Sequence, residues 1–161
     1  MGCDIENEYL FKELCCECLN EAWHYTQKHC EQKSINAVEY RYSILLYIKP
    51  FKNSKIKNKL NLKLKAEDYF SGSLIEKHKE FEIYRDKILA HMDFSEIQPK
   101  IHTYKNHEGD FNFMYGSNWK PMNAISSNPY DLRILIETVL DKLYIEVDDL
   151  KSRIIQSLQN D

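Results

Sequence analysis

The residues Tyr84-Arg85-Asp86-Lys87-Ile88-Leu89-Ala90-His91-Met92-Asp93 bring an arginine, an adjacent acid and a histidine into one short stretch. Arginine is a permanent cation whose planar fork matches phosphate oxygens. Histidine gains and loses a proton near neutral pH. Such a pair is sufficient for transesterification of RNA. The imidazole takes the proton of a 2′-hydroxyl, and the guanidinium offsets the charge that builds on the phosphate. This chemistry calls for no metal and no cofactor, because the attacking 2′-oxygen is already tethered beside phosphorus. Spacing alone carries little, since four arginines and six histidines in 161 residues meet at such separations by chance. The surrounding string, and the elements that would hold it, carry more.

Those elements are mostly helical. Residues 4–30 read as a first helix, with Leu10, Leu14, Cys18, Ala22 and Tyr25 at three- and four-residue steps and Leu19 and Trp23 widening the stripe. A second apolar run, 36–49, contains Tyr40, Ile44, Leu45, Tyr47 and Ile48 and is closed by Pro50. It reads as a helix, with strand as the competitor because of its β-branched and aromatic content. Leu60, Leu62 and Leu64 alternate with Lys59, Asn61, Lys63 and Lys65, the period of a short strand. Ser73 and Glu76 form a capping-box pattern. The helix they open runs to about residue 90–92 and buries Leu74, Phe81, Tyr84, Ile88 and Leu89. Residues 93–128 lose helical period, and 101–105 can pair with 110–114 as a hairpin around Asn106-His107-Glu108-Gly109. Asn128 then caps a last helix that starts at Pro129, and Leu132, Ile136, Val139, Leu143, Val147, Leu150 and Ile154 form its stripe. That stripe is long enough to pack against two helices or to continue across a dimer seam. The expected fold is an all-α bundle with one irregular insertion before the last helix. On an ideal helix, six residues separate Arg85 and His91 by about 120° and roughly 9 Å along the axis. They need not meet within one subunit, unless the helix stops short of His91 and the loop folds it back.

In this setting the string Arg-Asp-Lys-x-x-Ala-His-x-Asp, followed by a long insertion and a final amphipathic helix, resembles the HEPN superfamily (higher eukaryotes and prokaryotes nucleotide-binding). It looks most like the abortive-infection branch, whose helical domains carry an Arg-(Asp/Asn)-Lys-x-x-x-His core. Residues 84–93 carry the match at motif level, and the rest of the chain matches as an arrangement of helices. The resemblance implies one four- to five-helix domain over residues 1–161 that forms a homodimer, whose two-fold axis would bring two Arg85 and two His91 into one cleft. It also implies a metal-independent endoribonuclease of phage-defence or toxin type. Arg85 and His91 would be the catalytic pair, and Asp86 would take the polar place after the arginine that is linked to orienting the site. Lys87 and Asp93 belong to the string without an assigned role. Members paired with a nucleotidyltransferase antitoxin usually carry tyrosine two residues after the histidine. Here Asp93 stands there, so an antitoxin of that kind is not expected, and any other antitoxin is left open. The alternative is a catalytically inactive HEPN-like module that binds nucleotide, RNA or a protein partner through the same residues.

Charge is segregated. The chain has a net charge of -3, yet no acid lies between Glu39 and Glu67. That window holds Arg41, Lys49, Lys52, Lys55, Lys57, Lys59, Lys63 and Lys65, so the rest of the chain carries the acidic excess. Lys52, Lys55, Lys57 and Lys59 are the candidate contacts to RNA, against the plainer reading of a solvated loop. No segment has the run of about 20 apolar residues that crosses a bilayer, and the acidic N-terminus has no apolar signal core, so no membrane partner is expected. Gly2-Cys3 lacks the Ser or Thr at position 6 of an acylation signal. Five cysteines, two of them adjacent, make a poor disulfide framework and point to a reducing cytoplasm. Cys15, Cys16, Cys18, His29 and Cys30 invite a zinc reading, but residues 18 and 29 lie about three turns apart on one helix, and buried thiols are the expectation. His102, Tyr104, His107, Tyr115 and Trp119 of the insertion are secondary candidates for touching RNA.

Overall fold

Two helices of 31 residues, each roughly 45 Å long, frame the molecule: α1 (Gly2–Gln32) and α5 (Pro129–Gln159). The computed structural model describes residues 2–32, 37–56, 60–86, 97–105, 109, 111–119 and 128–159. Side-chain contacts pair Gln27 with Arg133, Trp23 with Glu137, Asn20 with Tyr144 and Lys12 with Glu146. The numbers run in opposite senses, so α1 and α5 are antiparallel. The α5 stripe follows the sequence expectation: Leu132, Ile136, Val139, Leu143, Val147 and Leu150 are buried, joined by Leu135 and Leu140. Each fully buried side chain of this size contributes about 1.5–3 kcal/mol. Past Leu150 only Ile154 is half-buried, and the last turns stand in solvent. At the start of α5 the Asn128 Oδ1 accepts the Tyr130 N–H at 3.1 Å, the expected cap.

The α1 stripe differs from the expected one. Leu10 and Leu14 are 40% and 51% exposed, whereas Phe11, Cys15, Leu19, Ala22 and Thr26 are buried. The buried stripe is one residue along from the Leu10–Leu14 phase, because it places Phe11 and Leu19 in the core. The Thr26 hydroxyl enters that core by donating to the Ala22 carbonyl at 2.8 Å.

The second apolar run is helix α2 (Ala37–Ile48) rather than strand. Ser43, Ile44, Leu46, Tyr47 and Ile48 are all buried, as expected of a helix apolar on most sides. A 3₁₀ turn, Lys49–Phe51, follows with Pro50 in its first turn. The Pro50 carbonyl accepts the Leu64 N–H at 2.9 Å, which ties the following extended segment to the bundle. That segment is a small hairpin, β1 (Ser54–Ile56) against β2 (Leu60–Leu62), in antiparallel register. Its leucine alternation continues to Leu64, which is buried, between exposed Lys63 and Lys65. Helix α3 (Ala66–Tyr69) leads to α4 (Ser73–Tyr84).

The capping box at α4 does not form. Gly72 is the N-cap, with φ 57° and no side-chain cap bond, and Ser73 is already the first helical residue. The left-handed glycine turns the chain into the helix without side-chain help. Glu76 pairs instead with Lys79 at 3.0 Å. In the insertion, β3 (Ile97–Lys105) and β4 (Phe111–Trp119) form the expected hairpin with longer arms, from Lys105↔Phe111 out to Ile97↔Trp119. The molecule is thus a mainly helical bundle with two two-stranded hairpins. Among the described residues, no helix is long and apolar enough to cross a membrane.

Candidate functional site

Helix α4 runs from the core to the candidate site on one face. His78, Phe81 and Arg85 succeed one another at steps of three and four, so all three share a side of the helix. His78 and Phe81 are buried, as is Tyr84. Burial raises the Tyr84 phenol, against the Arg41 guanidinium that hydrogen-bonds it. After Tyr84 the helix widens into a π-type turn at Arg85 and Asp86, a distortion frequent at functional sites.

At that turn the Arg85 Nη1 donates to Asp86 Oδ1 at 2.6 Å. The other Asp86 oxygen accepts from Lys52 Nζ at 2.9 Å, and Lys52 also donates to Glu82 Oε1 at 2.8 Å. Arg85 and Asp86 keep 31% and 39% of their side-chain surface in water, so the cluster is reachable. The Lys52 ammonium bound to Asp86 holds that carboxyl below its ordinary range; partial burial opposes this and the Arg85 guanidinium adds to it. Burial alone would lower the Lys52 ammonium, but its bonds to Glu82 and Asp86 outweigh that and raise it. Two cations and two carboxylates therefore offset one another, and Asp86 fixes the guanidinium from one side.

The structure thus brings together Arg85, Asp86 and Lys52. It places Lys52 as the partner of Asp86 and Glu82 rather than as a free cation. Lys55 lies in β1 with its backbone alone described, and Lys57, Lys59, Lys87, His91 and Asp93 lie outside the described residues. So does His107, while His102, Tyr104, Tyr115 and Trp119 are hairpin residues whose side chains are not described. Cys15 and Cys16 are buried thiols. Burial is the main cause that pushes the first up to about 12 and the second up to about 11, far from a reactive thiolate. Cys18, His29 and Cys30 are half-buried, and His29 stacks on Tyr40 at 4.6 Å between ring centres. Among the described residues no group of three His, Cys, Asp or Glu side chains converges as a metal site.

Sequence reasoning missed His78. Its Nδ1 meets the Tyr47 hydroxyl at 2.7 Å, with the Phe51 ring at 4.4 Å and the Phe70 ring at 5.2 Å between centres. The signal was present: a histidine between Leu74 and Phe81 on the apolar stripe of α4 must be buried with a partner. Burial lowers the His78 imidazole below its ordinary value, so it is neutral at physiological pH. It therefore braces the helix that carries Arg85.

No family model, curated protein or solved structure matches this chain.

Proposed function

We propose that the chain is a HEPN-like, metal-independent endoribonuclease of phage-defence or toxin type, acting as a homodimer in the cytoplasm. One observation carries the reading: Arg85 is oriented by Asp86, stays open to water and sits in the π-type turn that follows α4, directly ahead of the Lys-x-x-Ala-His string. In the reaction His91 removes the proton from a 2′-hydroxyl. The resulting alkoxide attacks the adjacent phosphorus, the 5′-oxygen leaves with a proton, and a 2′,3′-cyclic phosphate remains. Arg85 offsets the negative charge on the non-bridging oxygens as they become equatorial. Asp86 acts as a positioning residue that presents the guanidinium in one orientation. The lysine-rich window draws in the polyanion, with Lys55, Lys57 and Lys59 as contacts and Lys52 in the cluster behind Arg85. The bland reading of Arg85 is a surface ion pair with its neighbour; the oriented guanidinium within the string favours catalysis.

The test is incubation of RNA with the protein in excess chelator. The expected products carry cyclic-phosphate ends, and Arg85→Ala and His91→Ala abolish them. Undiminished cleavage by either variant contradicts the assignment of that residue.

A second reading has its own support. The charges of Arg85, Lys52, Asp86 and Glu82 cancel, which suits a non-catalytic module that holds RNA through the lysine-rich window rather than through the Arg85 cluster. Retention of RNA without cleavage, weakening steeply with added salt, is its signature.

A further inference from the structure

A pocket of about 400 Å³ opens between α1, the segment after β2, α3 and α5, and it shares no residue with the Arg85 cluster. Its size falls within the range of small-molecule sites. The floor is apolar and aromatic: Phe11, Leu64 and Tyr69 are all buried. One wall is a closed hydrogen-bonded chain. Lys12 bridges Glu8 at 3.0 Å and Glu146 at 3.2 Å, and the Tyr69 hydroxyl donates to Glu146 at 2.9 Å. The acids of that wall are thus already engaged, and the wall is rigid.

The mouth is different. Lys63 and Lys65 are exposed, line the pocket and make no ion pair among the described residues. They flank buried Leu64 in the segment just past β2, and both stay exposed while Leu64 enters the core. Asp68 also lines the mouth, and the Lys142 ammonium lies beside it, donating to the Asp68 carbonyl at 2.9 Å. Lys142 also stands 5.9 Å from the centre of the Tyr69 ring. At the mouth Lys63, Lys65 and the adjacent Lys142 outnumber the Asp68 carboxylate above an apolar aromatic floor, while the Glu8–Lys12–Glu146 wall carries one more acid than base.

We propose that this pocket binds a small organic anion, its flat apolar body on Phe11, Leu64 and Tyr69 and its phosphate or carboxylate head at Lys63 and Lys65. A ligand with the same body and a neutral head keeps the floor contacts and loses the head-group attraction. A cationic head meets Lys63 and Lys65 with the wrong sign.

The test uses four naphthalene probes with the full chain: 2-naphthoate, 2-naphthyl phosphate, 2-naphthamide and 2-naphthylmethylammonium. Calorimetry gives affinities, and amide shifts over residues 62–69 locate the binding. The two anions should bind one per chain, each about tenfold tighter than the amide. The tighter of the two identifies the head group. Lys63→Ala/Lys65→Ala removes exposed side chains, leaves thermal unfolding unchanged and lowers both anions to the amide's affinity. Added salt should weaken the anions and leave the amide unaffected. Equal binding of anion and amide, tighter binding of the ammonium probe, or no shift over residues 62–69 overturns the proposal.

Discussion

His78 and Arg85 sit seven residues apart on one face of α4 and meet opposite surroundings. At His78 the helix is closed in by Tyr47, Phe51 and Phe70, and the ring is held by one hydrogen bond with a phenol. At Arg85 the same face reaches water, and four charged groups are held at bonding distance. The difference is one of dielectric. In the dry segment a charge would cost several kcal/mol, so the histidine gives up its proton. In the wet segment charges are tolerated and each contact is weak. The dry half fixes where the helix lies, and the wet half carries its exposed charged groups.

The contrast can be broken most severely from the dry side. Phe81→Ala should remove about 3–5 kcal/mol of stability, read as a drop in the denaturant midpoint. Tyr47→Phe leaves the buried His78 Nδ1 without its partner and should cost about 1–3 kcal/mol, with the fold retained. A pH series sharpens the comparison further. His78 in the folded chain titrates below its ordinary value of 6.5, so the unfolded chain takes the proton first. Its contribution is complete above about pH 6.5 and is lost as pH falls through the lowered value. The Glu82 and Glu67 carboxylates nearby limit the shift, and Lys52 adds to it. Thermal unfolding between pH 5 and 7 should show this slope, and His78→Leu should flatten it. The smallest effect belongs to the wet side. Lys52→Ala should change stability by less than about 1 kcal/mol. It should also let the Asp86 carboxyl titrate closer to its ordinary range, visible by carboxyl NMR. A Lys52 effect as large as that of Phe81 would erase the distinction.

Most of the helical frame is legible from the chain alone, because the four-three apolar steps of Leu132 to Leu150 and the Asn128-Pro129 start are local properties. The insertion hairpin is legible for the same reason, through the turn around Gly109. The α1 phase is not, since Leu10 and Phe11 are both apolar and only the shape of the partner helices decides which is buried. The Ser73–Glu76 pattern fails because Gly72 offers a competing way into the helix. At the candidate site, Arg85 and Asp86 were found because they are neighbours in a string. Lys52 reaches Asp86 across 34 positions, a pairing fixed by how the 3₁₀ turn after α2 meets the end of α4. No local rule announces it. The buried role of His78 was available from its place on the stripe, but nothing in the sequence names Tyr47 as its partner.

The proposed composite dimeric site is tested most directly by mixing inactive subunits. Arg85→Ala and His91→Ala chains, each unable to cleave RNA in chelator, should regain cleavage with cyclic-phosphate ends when unfolded together and refolded as mixed dimers, because one cleft then holds one arginine and one histidine. Full cleavage by either variant alone, or a mixture that stays silent while the wild-type chain cleaves, would contradict the account.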